Sequence, residues 1–437
     1  MSKRHEIMKV KNKIMFLYLG MVTGLCMPLP LRAQHTYTLD ECIQEALSNN
    51  VRIKNADNDL YAARQDRQSA FTNYFPSVMA GGGAFVADQG LLQMEMAPGQ
   101  GISMMKDGVM GGVTASLPLF TGGQIVHGNK LAEVNVEVKR LQRNLSEKEV
   151  RLTTEQYFWQ VVTLKEKLRT ISTVEKQLER LNADVEAAVH AGLTTRNDLL
   201  QVQLRQNETR SGRIEVENAL ALSRNMLAQY IGHPTDSIDV QMNIGWKLPE
   251  RPDSLYRNPD ASLLLTEEYH LLQQNLKATR LQRKLTVGKH LPTVAIGGGY
   301  VYENLMDRDQ SFWVGFATVS VPLTGWWSGT HEMKRDKLRV QNAENQLEDQ
   351  SQMLVIRMQN AWNELNDAYK QMEIALLSIE QADENLRLNT DYYAAGTCAM
   401  NELLDAQTLY QQSRDKYVES CMQYEVKKRT YLQATGR

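Results

Sequence analysis

The sequence predicts a mostly helical chain with a small β part, in which long helical hairpins alternate with four short strands. Three observations predict it: where prolines are missing, a repeat held at one spacing, and apolar residues that recur every three or four positions. No proline lies between Pro118 and Pro234, or after Pro322. Two stretches of more than 110 residues are therefore free of the residue that breaks helices.

The repeat sets the organisation. NYFPSVMAGGGAFV (73–86) echoes KHLPTVAIGGGYVY (289–302), ASLPLFTGG (115–123) echoes VSVPLTGWW (319–327), and AGLTTRNDLLQVQL (191–204) echoes AGTCAMNELLDAQTL (395–409). The pairs Pro118/Pro322, Gly192/Gly396 and Gly232/Gly436 all stand 204 residues apart. Self-similarity at one offset marks a duplicated unit. The expected division is 1–33 as a signal peptide, 34–232 as the first repeat, 233–257 as a connector and 258–437 as the second repeat. Pro76 and Pro292 are offset by 216, which places 12 extra residues between the strands of the first half.

At the N-terminus, Lys9, Lys11 and Lys13 precede an apolar run from Ile14 to Met27, then Pro28, Pro30 and Ala33. That order reads as a secretory signal peptide, and the run is short for a membrane span. Cys26 offers an acylation site, against which stands the large Leu25. The chain left after residue 33 carries 43 Lys/Arg against 50 Asp/Glu. Its three cysteines, Cys42, Cys398 and Cys421, have the count and spacing of isolated thiols rather than of a disulfide framework.

Each half then follows one plan. Thr38 is placed to cap a first helix, with Glu41 three residues on to complete a capping box. A Pro-led segment rich in glycine and aromatics suits a strand, and second strands are expected over Gly111–Phe120 and Phe312–Val321. In the first of these Val113, Ala115, Leu117 and Leu119 alternate with Thr114 and Ser116. The period then changes. Val161, Leu164, Leu168, Ile171, Leu178, Leu181 and Val185 step mostly by three or four, as do Met358, Trp362, Leu365, Tyr369, Met372, Leu376 and Ile379. This is a heptad seam. The first run extends from about Ile125 to His190, on the order of 100 Å of helix. Gly192 and Gly396 follow the two runs as left-handed C-caps, so each repeat ends in a helical hairpin.

Composition excludes several classes. The chain has 437 residues, 49 Lys/Arg, 51 Asp/Glu, 27 Gly and 11 Pro. It has no basic excess for nucleic acid, and a mean hydropathy of −0.43 excludes a polytopic bundle of membrane helices. The eight histidines are scattered, and GGGAF and GGGYV lack the helix start that a nucleotide loop requires. No catalytic site, cofactor or metal centre is expected. Met94, Met96, Met104, Met105 and Met110 crowd the first strand-to-strand loop and read as a flexible apolar segment rather than soft metal ligands.

Four short strands cannot enclose a lumen, and in a bilayer every edge amide must be paired. Copies of the chain would therefore share one barrel, with Tyr74, Phe75, Phe120, Trp326 and Trp327 at the strand–helix junctions as an interfacial girdle. A periplasmic coiled coil that spaces partners without conducting is the alternative.

These segments together resemble the TolC-like outer-membrane efflux proteins. TYTLDECIQEALSNN is similar to that family's opening helix, YFPSV and HLPTV to its strand starts, SLPLFTGGQ to its strand-to-helix junction, and AGLTTRNDLLQVQ and AGTCAMNELLDAQ to its hairpin tips. The resemblance spans essentially the whole chain after residue 33. It implies a homotrimer with a twelve-stranded barrel in the outer membrane of a Gram-negative bacterium and a helical barrel through the periplasm. It also implies a passive exit duct served by a periplasmic adaptor and an inner-membrane pump. The adaptor would dock at the tips, at Gly192, Leu193, Thr194, Gly396 and Thr397. A gate is implied at Asp198 and Tyr393, with an acidic constriction at Glu402 and Asp405. Cys398 stands where some members carry an arginine, which breaks the pattern of their basic link. Solvated surface acids are the alternative for Glu402 and Asp405.

Overall fold

The structure, a computed structural model, describes residues 35–89, 92–97, 100–234, 238–242, 244–305, 308–323 and 325–437. The expected signal peptide, 1–33, and Cys26 lie outside them. Strand β1 (His35–Tyr37) leads into α1 (Leu39–Asn49), which Thr38 caps. The Thr38 amide donates to the Glu41 carboxylate at 2.8 Å and the Glu41 amide to the Thr38 hydroxyl at 3.4 Å, so two donors of the first turn are satisfied. Asn50 ends α1 and caps α2 (Val51–Thr72) through its side-chain Oδ1, which accepts from the Arg52 amide.

The first sheet segment contains β2 (Ser77–Val86) and β5 (Asp107–Thr121), with β3 (Leu92–Ala97) and β4 (Gln100–Met104) between them. The extra residues of the first half are thus an antiparallel ribbon of their own rather than an irregular loop. The side chains of Met94, Met96 and Met104 lie outside the described residues. Helix α3 (Gln124–His190) has 67 residues, about 100 Å at 1.5 Å per residue, and turns into α4 (Arg196–Tyr230). Strand β6 (Ile238–Val240) pairs in parallel with β1. The short α5 (Pro259–Leu263) leads to α6 (Glu267–Lys289), β7 (Thr293–Leu305) and β8 (Arg308–Ser320). Helix α7 (Gly325–Ala394) has 70 residues and turns into α8 (Met400–Ala434). The strands outrun the sequence expectation toward the β5 and β8 N-termini, because Gly108–Met110 and Arg308–Ser311 pair with β7, and Asp107 with β2, although their side chains do not alternate cleanly.

The helices form one layer four columns wide. Helix α4 ends where α2 begins, and the Asn50 amide side chain donates to the Tyr230 carbonyl across the joint at 2.9 Å. Helix α8 ends against the start of α6 in the same way, with Gly436 against the Leu265 carbonyl. The columns are therefore α4 with α2, then α3, then α8 with α6, then α7. Apolar clusters seal the columns. Phe158, Val162, Leu227 and Ile231 join Cys42 and Ala46 in one, and Met358, Leu365, Met372, Tyr417 and Tyr431 form another. Most of the predicted heptad residues lie in these seams or half-buried beside them. The ribbon β1–β6 and the following connector lie on one side of the layer. Lys165 of α3 donates to Asp239 at 2.8 Å and to the Val240 carbonyl at 2.7 Å, and the Tyr417 hydroxyl donates to the Gly245 carbonyl at 2.9 Å.

Above the helices stands a four-stranded antiparallel sheet in the order β2–β5–β7–β8. Its glycines have a packing reason. A Cβ at Gly297 would overlap the Phe316 ring, and one at Gly299 would stand 2.5 Å from the Val113 carbonyl. No described helix is long and apolar enough to cross a membrane.

Candidate functional site: the sheet and the hairpin tips

Register sorts the sheet residues into two faces, because directly paired residues of an antiparallel ladder share a side. One face carries Val78, Ala80, Val109, Val113, Leu117, Ile296, Tyr300, Trp313 and Val319. The other mixes Thr114, Ser116, Glu303, Gln310 and Thr318 with Phe312 and Phe316. The first is the face suited to hydrocarbon. Sequence alternation aligned Leu119 with Leu117, but a bulge between Pro118 and Phe120 inserts one residue, so Phe120 pairs with Val294 on the apolar face. A bulge re-aims the side chains beyond it.

Aromatics flank this face at both ends. At the helix end Tyr74 and Phe75 are exposed and each packs on Phe71, with ring centroids 5.6 Å apart. Trp327 is 81% exposed; Trp326 opens α7 beside it, and its side chain lies outside the described residues. At the far end Tyr300 packs on Trp313 at 5.2 Å. The Tyr300 hydroxyl donates to Ser311 and that of Tyr302 to Asp309, at 2.7 and 2.8 Å. Sequence reasoning missed this second belt, although Tyr300 and Tyr302 two residues apart are its signal. The belts are separated by some eight residues of tilted strand, roughly 20–27 Å, which matches the apolar band of an outer-membrane barrel.

The tips lie at the opposite end of the helices. Gly192 and Gly396 have φ of +72° and +73°. The Leu193 amide donates to the Ala188 carbonyl and the Thr397 amide to the Tyr392 carbonyl, both at 2.9 Å. Both turns are thus Schellman caps, and Leu193 stands 81% exposed at the first. Thr195 caps α4 in a capping box with Asp198. The Asp198 carboxylate also accepts from the Thr194 hydroxyl, and this bond, opposed by desolvation, holds its pKa below the usual range. Tyr393, on the other hairpin, lies beside Thr194; burial pushes its phenol up and the Thr194 hydroxyl opposes the shift. Thr194 thus stands between Asp198, to which it donates, and Tyr393 of the other hairpin.

Glu402 and Asp405 are not part of that link. Both are exposed on one face of α8. The repeat explains the difference, since Glu402 occupies the place of Asp198 and Ala399 that of Thr195. Alanine has no side-chain acceptor, so α8 starts without a side-chain cap and the Glu402 carboxylate has no hydrogen-bond or ion-pair partner among the described residues. Ala399→Thr should rebuild the box, stabilise the start of α8 by about 1 kcal/mol and slow exchange of the Glu402 amide about fivefold. Unchanged exchange would show that Glu402 is held elsewhere.

The outer membrane efflux protein family matches residues 42–233 and 271–437. The chain belongs to that family. Its members are outer-membrane efflux channels, non-enzymatic, that form trimers in tripartite pumps and carry a helical domain in the periplasm. A comparison with curated proteins finds no match. Among solved structures the fold is similar to CusC, with 15% identity over 94% of this chain and 95% of that one and a TM-score of 0.79. It is also similar to the CmeC outer membrane channel of Campylobacter jejuni, with 13% identity, 91% and 85% coverage and a TM-score of 0.77. The open MtrE channel of Neisseria gonorrhoeae aligns at 16% identity, 91% and 88% coverage and a TM-score of 0.74. The efflux-family helical layer and sheet described above are the parts these folds share.

Proposed function

We propose that three copies of this efflux protein close edge to edge into one duct, with a twelve-stranded barrel above a helical tube. The carrying observation is that both layers are open on the same two sides. Strand β2 with the α2/α4 column forms one edge, and β8 with α7 forms the other. Both outer columns carry unpartnered apolar stripes: Leu200, Leu204, Ile214, Leu222 and Met226 on α4, and Met353, Ile356, Ile374, Leu377 and Tyr392 on α7. Different edges meeting give a head-to-tail contact, which closes into a ring. Ile214 lies 22 residues after Gly192, and Ile374 lies 22 before Gly396. With the tips level, the two stand at one height. Cysteines at Ile214 and Ile374 should therefore crosslink between copies and run as covalent trimers on a denaturing gel, beyond what either single variant gives. A monomer by mass photometry in detergent, with its strands intact by infrared spectroscopy, would overturn the closure.

The tips are the docking surface for a periplasmic adaptor, through Gly192, Leu193, Thr194, Gly396 and Thr397. Their support is the pair of matched Schellman turns and the exposed Leu193. The gate lies in the same place. Asp198, Thr194 and Tyr393 latch the two hairpins, and three copies each of Glu402 and Asp405 line the mouth as acidic rings that favour cations. An inner-membrane pump supplies the cargo. The two repeats, 34–232 and 258–437, with 233–257 between them, each contribute one tip and one pair of barrel strands, and residues 1–33 direct export.

A further inference from the structure

We propose that the helices just below the barrel carry a basic collar on their outer face that binds the phosphate headgroups of anionic lipids in the inner leaflet of the outer membrane. The proposal rests on the outer-membrane trimer reading. The chain as a whole is slightly acidic, with 49 Lys/Arg against 51 Asp/Glu, yet α6 from Asn275 to Lys289 carries five Lys/Arg and no acid. The charge is sorted by face. Two adjoining grooves run across α2, α3, α6 and α7 beneath the sheet. Arg64, Arg67 and Lys130 line the first with Phe71 and Tyr74, and Lys130, Lys277, Arg280 and Lys284 line the second. Lys130 borders both, so the six cations share one side of the layer.

Their partners are unequal. Arg67 pairs with Glu133 and Arg280 with Glu344, at 3.4 and 2.7 Å. Arg64, Lys130, Lys277 and Lys284 are exposed and form no ion pair within 4 Å among the described residues, although Lys277 lies near the Arg140-paired Glu137. The excess is felt locally. Desolvation and then the charges of Lys284 and Lys130 hold the nearby His127 below its ordinary value.

The side is the outer one. Lys130 and Lys165 are five heptads apart on α3 and so share a side of a heptad helix. Lys165 holds the β1–β6 ribbon through Asp239 and Val240. A closed tube keeps that added layer outside, because within it would fill the duct. Height agrees as well. Arg67, Lys130 and Lys284 lie within about 10 Å of their helix ends at the sheet, and Arg64, Lys277 and Arg280 within about 20 Å. Exposed Phe71, Tyr74 and Phe75 stand between them and the apolar face. An aromatic rim with long cationic side chains beneath it, able to reach up into a headgroup layer of about 5–8 Å, is the arrangement of an interfacial anchor.

The test measures lipid retained per trimer after size exclusion in detergent doped with equal parts phosphatidylglycerol and phosphatidylcholine. The native protein should retain phosphatidylglycerol preferentially and lose that preference between about 0.05 and about 0.5 M NaCl. Replacing Arg64, Lys130, Lys277 and Lys284 together by Gln should cut retained phosphatidylglycerol by about tenfold or more, each cation near an anionic surface contributing about fivefold at most. The charge-keeping pair Lys130→Arg and Lys284→Arg should retain it. Equal retention of both lipids, a Gln variant that retains phosphatidylglycerol undiminished, or displacement of the lipid by equimolar inorganic phosphate would overturn the proposal. Should the fourfold variant not assemble, Lys130→Gln with Lys284→Gln and the salt titration decide. Native protein that runs as a monomer would instead sink the trimer reading.

Discussion

Gly122→Val should abolish assembly of this efflux protein, the largest effect expected of any single substitution. Gly122 sits at the junction of β5 and α3 with φ of +62°, and a Cβ there would overlap the Gly288 carbonyl oxygen. The approach is mutual, for a Cβ on Gly288 would stand 2.6 Å from the Gly122 carbonyl oxygen. Two backbones pass here without room for a side chain, at the point where the sheet is joined to two helical columns. Left-handed strain of about 1–2 kcal/mol adds to overpacking against backbone that cannot yield, for a total of about 4 kcal/mol or more. Gly123→Ala is the control. Its φ is +78°, but a Cβ there meets only the His127 ring at 3.5 Å, so only the backbone strain remains. Trimer yield in the outer membrane and resistance to thermal dissociation should fall steeply for the first and slightly for the second. Equal yields would show that the junction relaxes.

Thr194→Val combined with Tyr393→Phe should open the resting channel. The pair removes the Thr194–Asp198 bond and the Tyr393 hydroxyl beside it while leaving Thr195 and Asp198 to cap α4. This makes it a cleaner test than removing Asp198, whose carboxylate serves both the cap and the link. A hydrogen bond contributes about 1 kcal/mol net. Three copies that open together would shift the balance by about 3 kcal/mol for each bond lost, roughly a hundredfold in the open-to-closed ratio. Resting conductance in planar bilayers should rise accordingly. Glu402→Gln with Asp405→Asn should act differently, lowering cation preference and block by multivalent cations with less effect on opening. If conductance and selectivity are unchanged in both pairs, Thr194 and Asp198 only cap a helix and the acids of α8 are solvated surface.

Much of the architecture was legible because it depends on local and periodic signals. Proline placement, heptad spacing and the glycines at 192, 232, 396 and 436 each act within a few residues, and all four glycines adopt the positive φ that ends a helix. Duplication strengthened the reading, since each signal occurs twice at one offset. The tip residues were located by the same means, but their roles were not. Thr194 is one more tip residue in the sequence, yet it stands between Asp198 and Tyr393 of two hairpins that are brought together by packing of α3 and α4 against α8. That Asp198 is held while its repeat mate Glu402 is not follows from Thr195 against Ala399, a difference visible in the sequence once the cap geometry gives it meaning.

The sequence by itself determined the duplicated order of helices and strands, the lengths of the hairpins and where they turn, because helix starts, stops and apolar periods are written in neighbouring residues. Only the tertiary structure decided which faces those elements present. The bulge at Pro118–Phe120 moves Phe120 onto the apolar side, because register with β7, across more than 170 residues of chain, selects the residue that is skipped. The end-to-end stacking of α4 on α2 and α8 on α6, and with it the pair of open edges, likewise depends on contacts such as Asn50 with Tyr230, 180 residues apart. Neither carries a local signal, since any exposed amide or loop end meets the same short-range rules, and the partner is chosen by what the whole layer brings within reach.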